Sequence, residues 1–245
     1  FGKSLICIDN KNLRSLLSKC NTNNFLTYGF DKNSNYQIIN VKKNVKHSIF
    51  DLKIKFLGDK IFKIKNIRVN LIGDHNISNA TAAVAIALNL GIKINKIKRA
   101  LKKFLGIQRR FTKVLSLEKR EFYDDYAHHP TEIRAVINSA RQVHGDRKII
   151  CVFQPHRYSR VKFLKNEFAL SFKESDAVVL CPVYSAGEKI RYNFDQKKFS
   201  QLIAKKSKKQ VINIKNHKEL KNYFQKNLLE DEIVICMGAG SISNW

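Results

Sequence analysis

The stretch EFYDDYAHHPTEIRAVINSARQV, residues 121–143, decides how the second half of the chain is read. A short apolar run, EFY, gives way to two carboxylates, a tyrosine and two histidines within the six residues Asp124 to His129, and Pro130 closes the cluster. Then TEIRAVINSARQV places Ile133, Val136, Ile137 and Ala140 at the spacing of one helical face. A strand, a polar loop and a helix follow one another here. The loop is too polar for core filling and too short for a solvated charge run, so a small charged molecule is expected to bind there.

The same alternation continues downstream. KIICVF (148–153), AVVLC (177–181), QVINI (210–214) and EIVIC (232–236) read as strands, and NHKELKNYFQKNLL spaces Leu220, Phe224 and Leu228 four apart as a helix. Strands alternating with helices predict an α/β fold whose C-terminal half is a doubly wound, mostly parallel sheet covered on both faces. Ligands of such sheets bind beyond the carboxyl ends of the strands. DDYAHH follows the first of these strands, QPHRYSR (154–160) the second, PVYSAGE (182–188) the third and GAGS (238–241) the fifth. Four loops on one edge therefore carry most of the reactive residues of this half. Arg157 and Arg160, three apart at a helix start, can jointly grip a carboxylate or phosphate, and GAGS allows backbone to approach an anion closely.

Before this lies a less regular half. SLICID reads as a strand leading into the short helix NKNLRSLLSKC, and residues 47–72 as antiparallel strands about a turn at Gly58-Asp59. In GDHNISNATAAVAIALNLGI, Asn76 or Ser78 is expected to cap an Ala-rich helix that Gly91 ends. A second helix is expected to turn Ile94, Ile97, Leu101, Phe104 and Leu105 inward and to close at Gly106. His75 stands beside Asn76 and Asn79, and two amides sharing a helix face can donate to and accept from an adenine edge. The boundary between halves falls near GIQRRF, giving domains 1–107 and 108–245.

The totals bound the possibilities. With 245 residues and 44% hydrophobic content the chain can bury one large core or two modest ones. Its charge of +26 is compatible with a nucleotide or another polyanion as partner, and it motivates a second reading as a basic nucleic-acid-binding module. Against that module, the lysines are spread along the whole chain and no RNP, helix-turn-helix or zinc-finger pattern occurs, so neither nucleic acid nor membrane is expected as a partner. The five cysteines form no C-x-x-C pair, and Cys151, Cys181 and Cys236 lie in apolar runs, as expected of buried reduced thiols in a cytosolic protein. The chain starts at Phe1 without a methionine and is read as a piece of something longer.

GDHNISNATAAVAIALNLGI, FLGIQRRF, DDYAHHPTEI, VFQPHRYSR, VYSAGE and MGAGSI, running from residue 73 to 242, resemble the Mur ligases in identity and order, and most closely their alanine-adding members. The resemblance implies a Rossmann-like C-terminal domain preceded by the later part of an α/β ATPase domain. It implies an ATP- and Mg²⁺-dependent enzyme that phosphorylates the lactyl carboxylate of UDP-N-acetylmuramate and lets L-alanine attack the acyl phosphate, in cell-wall precursor synthesis. Carried over residue by residue, it places His75, Asn76 and Asn79 on the adenine side and Arg109 or Arg110 near the phosphates. Tyr126, His128, His156, Arg157 and Arg160 would line the alanine and nucleotide side. Either Asp124 or Asp125 would orient a histidine or the incoming ammonium. A murein peptide ligase, which recycles tripeptide, is the alternative within the family, since it shares a DDxAHHPT stretch, whereas QPHRYSR favours the alanine-adding branch. The family's G-x-x-x-x-G-K-[ST] phosphate loop is absent from these residues, as are its uridine-binding domain and the upstream Glu and His used for magnesium. The piece is accordingly expected to be inactive by itself.

Overall fold

The computed structural model describes residues 3–20, 24–55, 61–188 and 194–245. It separates into two compact units, Phe1–Gly106 and Ile107–Trp245.

The first unit contains β1 (Ser4–Cys7), α1 (Lys11–Leu17), β2 (Phe25–Gly29), β3 (Tyr36–Lys43), β4 (Ser48–Lys55), β5 (Ile61–Val69), α2 (Asp74–Asn89) and α3 (Ile94–Lys103). Its sheet runs β1-β2-β3-β4-β5, parallel from β1 to β3 and antiparallel from β3 to β5. β4 shows why the sheet is stable, because SIFDLKIK alternates buried and half-buried positions along its whole length. Phe50, Leu52 and Ile54 meet Ile77, Val84 and Ala85 of α2 and Ile97 of α3 in one core. The antiparallel pair expected over residues 47–72 is β4 with β5, and its turn at Gly58-Asp59 lies outside the described residues.

Two helix ends differ from the sequence reading. α2 begins at Asp74 with Gly73 as N-cap, so Asn76 and Ser78 lie inside it. The Asn76 amide reaches back to donate to the carbonyl of Ile72 at 2.8 Å and caps no backbone N–H. α3 ends at Lys103, where Phe104 turns extended, leaving Phe104 and Leu105 exposed and not on the inner face. Gly91 does close α2. It adopts φ 79° and donates to Leu88, while Ile92 donates to Ala87, the paired bonds of a Schellman ending that favours glycine.

The second unit contains β6 (Thr112–Leu117), β7 (Arg120–Asp125), α4 (Pro130–His144), β8 (Ile149–Phe153), α5 (Tyr158–Leu170), β9 (Ala177–Leu180), α6 (Gln196–Ser207), β10 (Gln210–Asn213), α7 (His217–Asn227) and β11 (Ile233–Met237). The sheet order is β10-β9-β8-β11-β7-β6, with only the β6–β7 pair antiparallel. The chain steps outward from β8 to β10, then returns to insert β11 between β8 and β7. Both faces are covered, as the apolar runs predict. Cys151, Phe153, Val178, Leu180, Ile233 and Ile235 face α4, α5 and α6, while Ile150, Val152, Val179 and Val234 pack with Leu220 of α7 and Ile242. Cys151 and Cys181 are buried, Cys236 is partly so, and all five cysteines are free. Among the described residues, no helix is long and apolar enough to cross a membrane.

At the amino end of β7, Glu121 accepts hydrogen bonds from Tyr123 (2.7 Å) and Arg147 (2.8 Å) and pairs with Lys113 at 2.7 Å. Burial alone would raise its pKa, but the bonds from Lys113, Arg147 and Tyr123 outweigh that and hold Glu121 at about 2.

Two stability outcomes follow. Phe50 is wholly buried, so Phe50→Ala should cost about 3–5 kcal/mol in urea unfolding of the first unit. The depressed pKa of Glu121 means that its contribution is fully present above its unfolded value of 4.5 and lost as pH falls toward 2. Glu121→Gln should therefore destabilise the second unit by on the order of 1–3 kcal/mol at pH 7. Its unfolding midpoint should converge with that of the parent chain on acidification. Equal differences at both pH values would refute the linkage.

Candidate functional site

Parallel strands deliver their carboxyl ends to one edge, and the ladder runs slightly past them. Gly238 donates to the carbonyl of Asp125 (3.1 Å), Gln154 to Met237 (2.9 Å) and Cys181 to Phe153 (2.9 Å). The loops after β7, β8, β9 and β11 therefore leave the sheet side by side. Their rings touch in a chain. Tyr126 meets His128 edge-on at 5.2 Å between centroids, His128 meets His156 at 5.6 Å, and Tyr184 stacks on His156 at 5.7 Å and 21°.

In their neutral forms the two imidazoles take different tautomers. His128 Nδ1 lies 2.9 Å from the carbonyl oxygen of Tyr126, which can only accept, so Nδ1 carries the hydrogen and Nε2 the lone pair. Arg160 Nη1 donates to His156 Nδ1 at 3.3 Å, which fixes that nitrogen as an acceptor and puts the hydrogen on Nε2. Burial, then the charge of Arg160, that of His128 whenever its ring is protonated, and that of Arg157, hold the His156 pKa below its ordinary value and favour the neutral ring. One rim thus offers a proton acceptor on His128 and a neutral donor on His156.

Arg157 is the N-cap of α5, and Arg160 lies in its first turn. Arg157 adopts φ 70°, the left-handed region that a long side chain rarely occupies. His129 serves structure. It is the N-cap of α4, and Glu132 accepts from the backbone amides of both His128 (3.0 Å) and His129 (3.1 Å), which locks the loop that carries His128.

The neighbouring aspartates, equivalent in the sequence, separate in the structure. Asp125 is 2% exposed, and its two oxygens accept from the amides of Phe111 and Ala127, each at 2.7 Å. Burial pushes its pKa up to about 6 against those two donors and the charge of Arg110. It fastens the turn before β6 to the Tyr126 loop. Asp124 accepts from Ser243 (2.9 Å) and pairs with Arg109 at 3.5 Å. Arg109 also donates to Gly238 at 2.6 Å, and its guanidinium lies over the Tyr126 ring at 4.8 Å. Arg110 is exposed, and its amide donates to Thr112.

GAGS is packed closely against its neighbours. A Cβ on Gly238 would come 2.8 Å from the carbonyl oxygen of Gln154, and one on Gly240 would come 2.6 Å from Tyr184 Cγ. These glycines admit neighbouring protein groups. The roles of Gln154, Tyr184, Glu188 and Ser243 went unread in the sequence, although all but Ser243 fall within the loop motifs. In the first unit, His75, Asn76 and Asn79 occupy the first turns of α2, with Asn79 exposed and His75 and Asn76 half-buried. Among the described residues no group of three or more His, Cys, Asp or Glu side chains is arranged to hold a metal.

Comparison with known proteins bears on this arrangement. The family model for the Mur ligase, glutamate ligase domain matches residues 109–240, and that for the Mur ligase middle domain matches residues 2–87. A UDP-N-acetylmuramate–L-alanine ligase of Pelagibacter ubique is 48% identical over 245 residues, which is 100% of this chain and 53% of that protein. One from Brucella ovis is 33% identical over 247 residues, covering 100% of this chain and 52% of its own. The crystal structure of a UDP-N-acetylmuramate–alanine ligase from Thermotoga maritima matches with a TM-score of 0.71 at 25% identity, over 98% of this chain and 49% of that one. A murein peptide ligase from Psychrobacter arcticus, at 18% identity over 99% of this chain and 50% of its own, has the same TM-score of 0.71 and shares the fold. The chain spans about half the length of the relatives it matches. With both of its units matched by successive domains of one family, the chain belongs to the Mur ligases.

Proposed function

We propose that the full-length protein is an ATP-dependent amide-bond ligase that adds L-alanine to UDP-N-acetylmuramate in the cytoplasm, during assembly of peptidoglycan precursors. The observation that carries this reading is the meeting of Tyr126, His128 and His156 with the helix start bearing Arg157 and Arg160 on one sheet edge. The names of the relatives at 48% and 33% identity supply the substrates. In this reading the first unit is the later part of the central ATP-binding domain and the second is the C-terminal domain.

The chemistry asks for what the rim holds. A carboxylate oxygen of the acceptor bonds to the γ-phosphorus of ATP, and ADP leaves. The amine of L-alanine then attacks the acyl carbon, and the tetrahedral intermediate expels inorganic phosphate. Negative charge grows at both stages, so guanidiniums at a helix N-terminus stabilise what forms. Arg157 and Arg160 take that role and grip the carboxylate of L-alanine or the phosphoryl group. The ammonium must lose a proton before it attacks, and the Nε2 lone pair of His128 can accept one. Tyr126 and His156 wall the same space. Asn76 and Asn79, with His75, face the adenine from α2, and Arg109 and Arg110 lie near the phosphates, Arg109 as a brace for Tyr126. Mg²⁺ would neutralise phosphoryl charge when bound. Among the described residues no metal cluster is supplied.

In the full-length protein, L-alanine with UDP-N-acetylmuramate should drive ATP-dependent phosphate release, whereas tripeptide with a UDP-free muramyl acceptor should not. Arg157→Ala and His128→Ala should each lower that release by roughly a hundredfold or more, with a melting temperature near that of the parent. Full turnover in both variants would dismiss the site.

A further inference from the structure

The loop after β9 grips the start of α5 from outside. The amide of Arg157 donates to the carbonyl of Tyr184 (2.9 Å), and the amide of Tyr184 donates to Pro155 (2.8 Å). His156 and Tyr184 form a short parallel bridge. Four residues further along, Glu188 accepts from the backbone amide of Ser159 at 3.2 Å and, through its other oxygen, from the Ser159 hydroxyl in a short hydrogen bond.

This tie answers a local problem. Arg157 caps α5 without a side-chain hydrogen bond to the helix, and it does so at φ 70°. Residues held in sparsely populated backbone regions persist only where their surroundings over-determine them. The first-turn amides also need an acceptor that Arg157 cannot supply, because a guanidinium has no lone pair to offer. Glu188 supplies it from a different loop. The Ser159 hydroxyl and amide also keep its carboxyl below the usual range, so it is ionised and both oxygens are committed to Ser159. Ser159 lies between the two arginines; among the described residues Glu188 forms no ion pair with either guanidinium, although the charge of Arg157 also helps to lower its pKa. On the other side of the loop, the Tyr184 ring is pinned between His156 and the backbone of Gly240.

We propose that Glu188 is a positioning residue whose carboxylate, bonded to the hydroxyl and amide of Ser159, fixes the first turn of α5 and so aims Arg157 and Arg160 at the anionic substrate. The inference rests on the proposed role of those arginines, and the experiment separates the two. In the full-length protein, Glu188→Ala should speed amide exchange of Ser159 by about tenfold or more, while the buried amide of Ile150 stays unchanged. The same variant should lower kcat/KM for L-alanine by about tenfold at an unchanged melting temperature, with Glu188→Gln intermediate. In the double variant Arg157→Ala/Glu188→Ala, the loss should fall far short of the product of the two single losses, since Glu188 acts through the arginine.

A merely structural Glu188 would lower the melting temperature and multiply the losses, and that result overturns the proposal. So does unaltered kcat/KM in Glu188→Ala when Arg157→Ala is impaired, or unaltered Ser159 exchange. Should the parent protein release no phosphate with L-alanine, the proposed function fails, while the exchange measurement still decides whether Glu188 holds the helix.

Discussion

The insertion of β11 between β7 and β8 in parallel register is the constraint on which the second unit depends. It matches Cys236 to Asp124 on one side and to Val152 on the other, so three strands end at one level. The backbone bonds just beyond, from Gly238 to Asp125 and from Gln154 to Met237, carry that level into the loops. A sheet covered on both faces needs apolar side chains at nearly every strand position, because each strand serves two cores. Polarity returns only where the cover stops, which is where the candidate site begins.

Within that rim, acids and bases divide their labour. Asp125 is spent on two backbone amides, Glu132 on two more, Asp124 on Ser243 and Arg109, and Glu188 on Ser159. The carboxylates are scaffolding. They satisfy loop donors that would otherwise be left unpaired, and they leave the imidazoles and the guanidiniums of Arg157 and Arg160 to set the character of the edge.

What could be read from the letters follows the same division. Strands β8, β9 and β11 were legible because burial on both faces writes continuous apolar runs, β7 and β10 showed as shorter apolar runs beside them, and their order along the chain placed the polar loops on one edge. β6 was not legible, since every position from Lys113 to Leu117 is exposed and edge pairing alone imposes no pattern. α5 was obscured by the exposed Phe163 and by the break in helical geometry at Leu164, which blur its periodicity. Among site residues, the charges and rings announced themselves by type. The choice between Asp124 and Asp125 did not, because it turns on which carboxylate the pleat carries inward beneath the turn at Phe111, a tertiary fact. The glycines of GAGS are a related case: the sequence shows that space is needed there, and only the tertiary structure shows that Gln154 and Tyr184 take up part of it.

The late position of β11 along the chain also bears on how the second unit comes into being. Its two sheet neighbours emerge from the ribosome long before it does, and they cannot hydrogen-bond to each other across the gap it fills. Until that final strand is made, the nascent unit has a cleft in its middle lined by unpaired backbone and by apolar side chains from two cores. Such pairings between distant segments are slow to close and leave sticky edges exposed meanwhile. The strand that aligns the candidate-site loops is thus also the one on whose arrival cooperative closure of the sheet must wait.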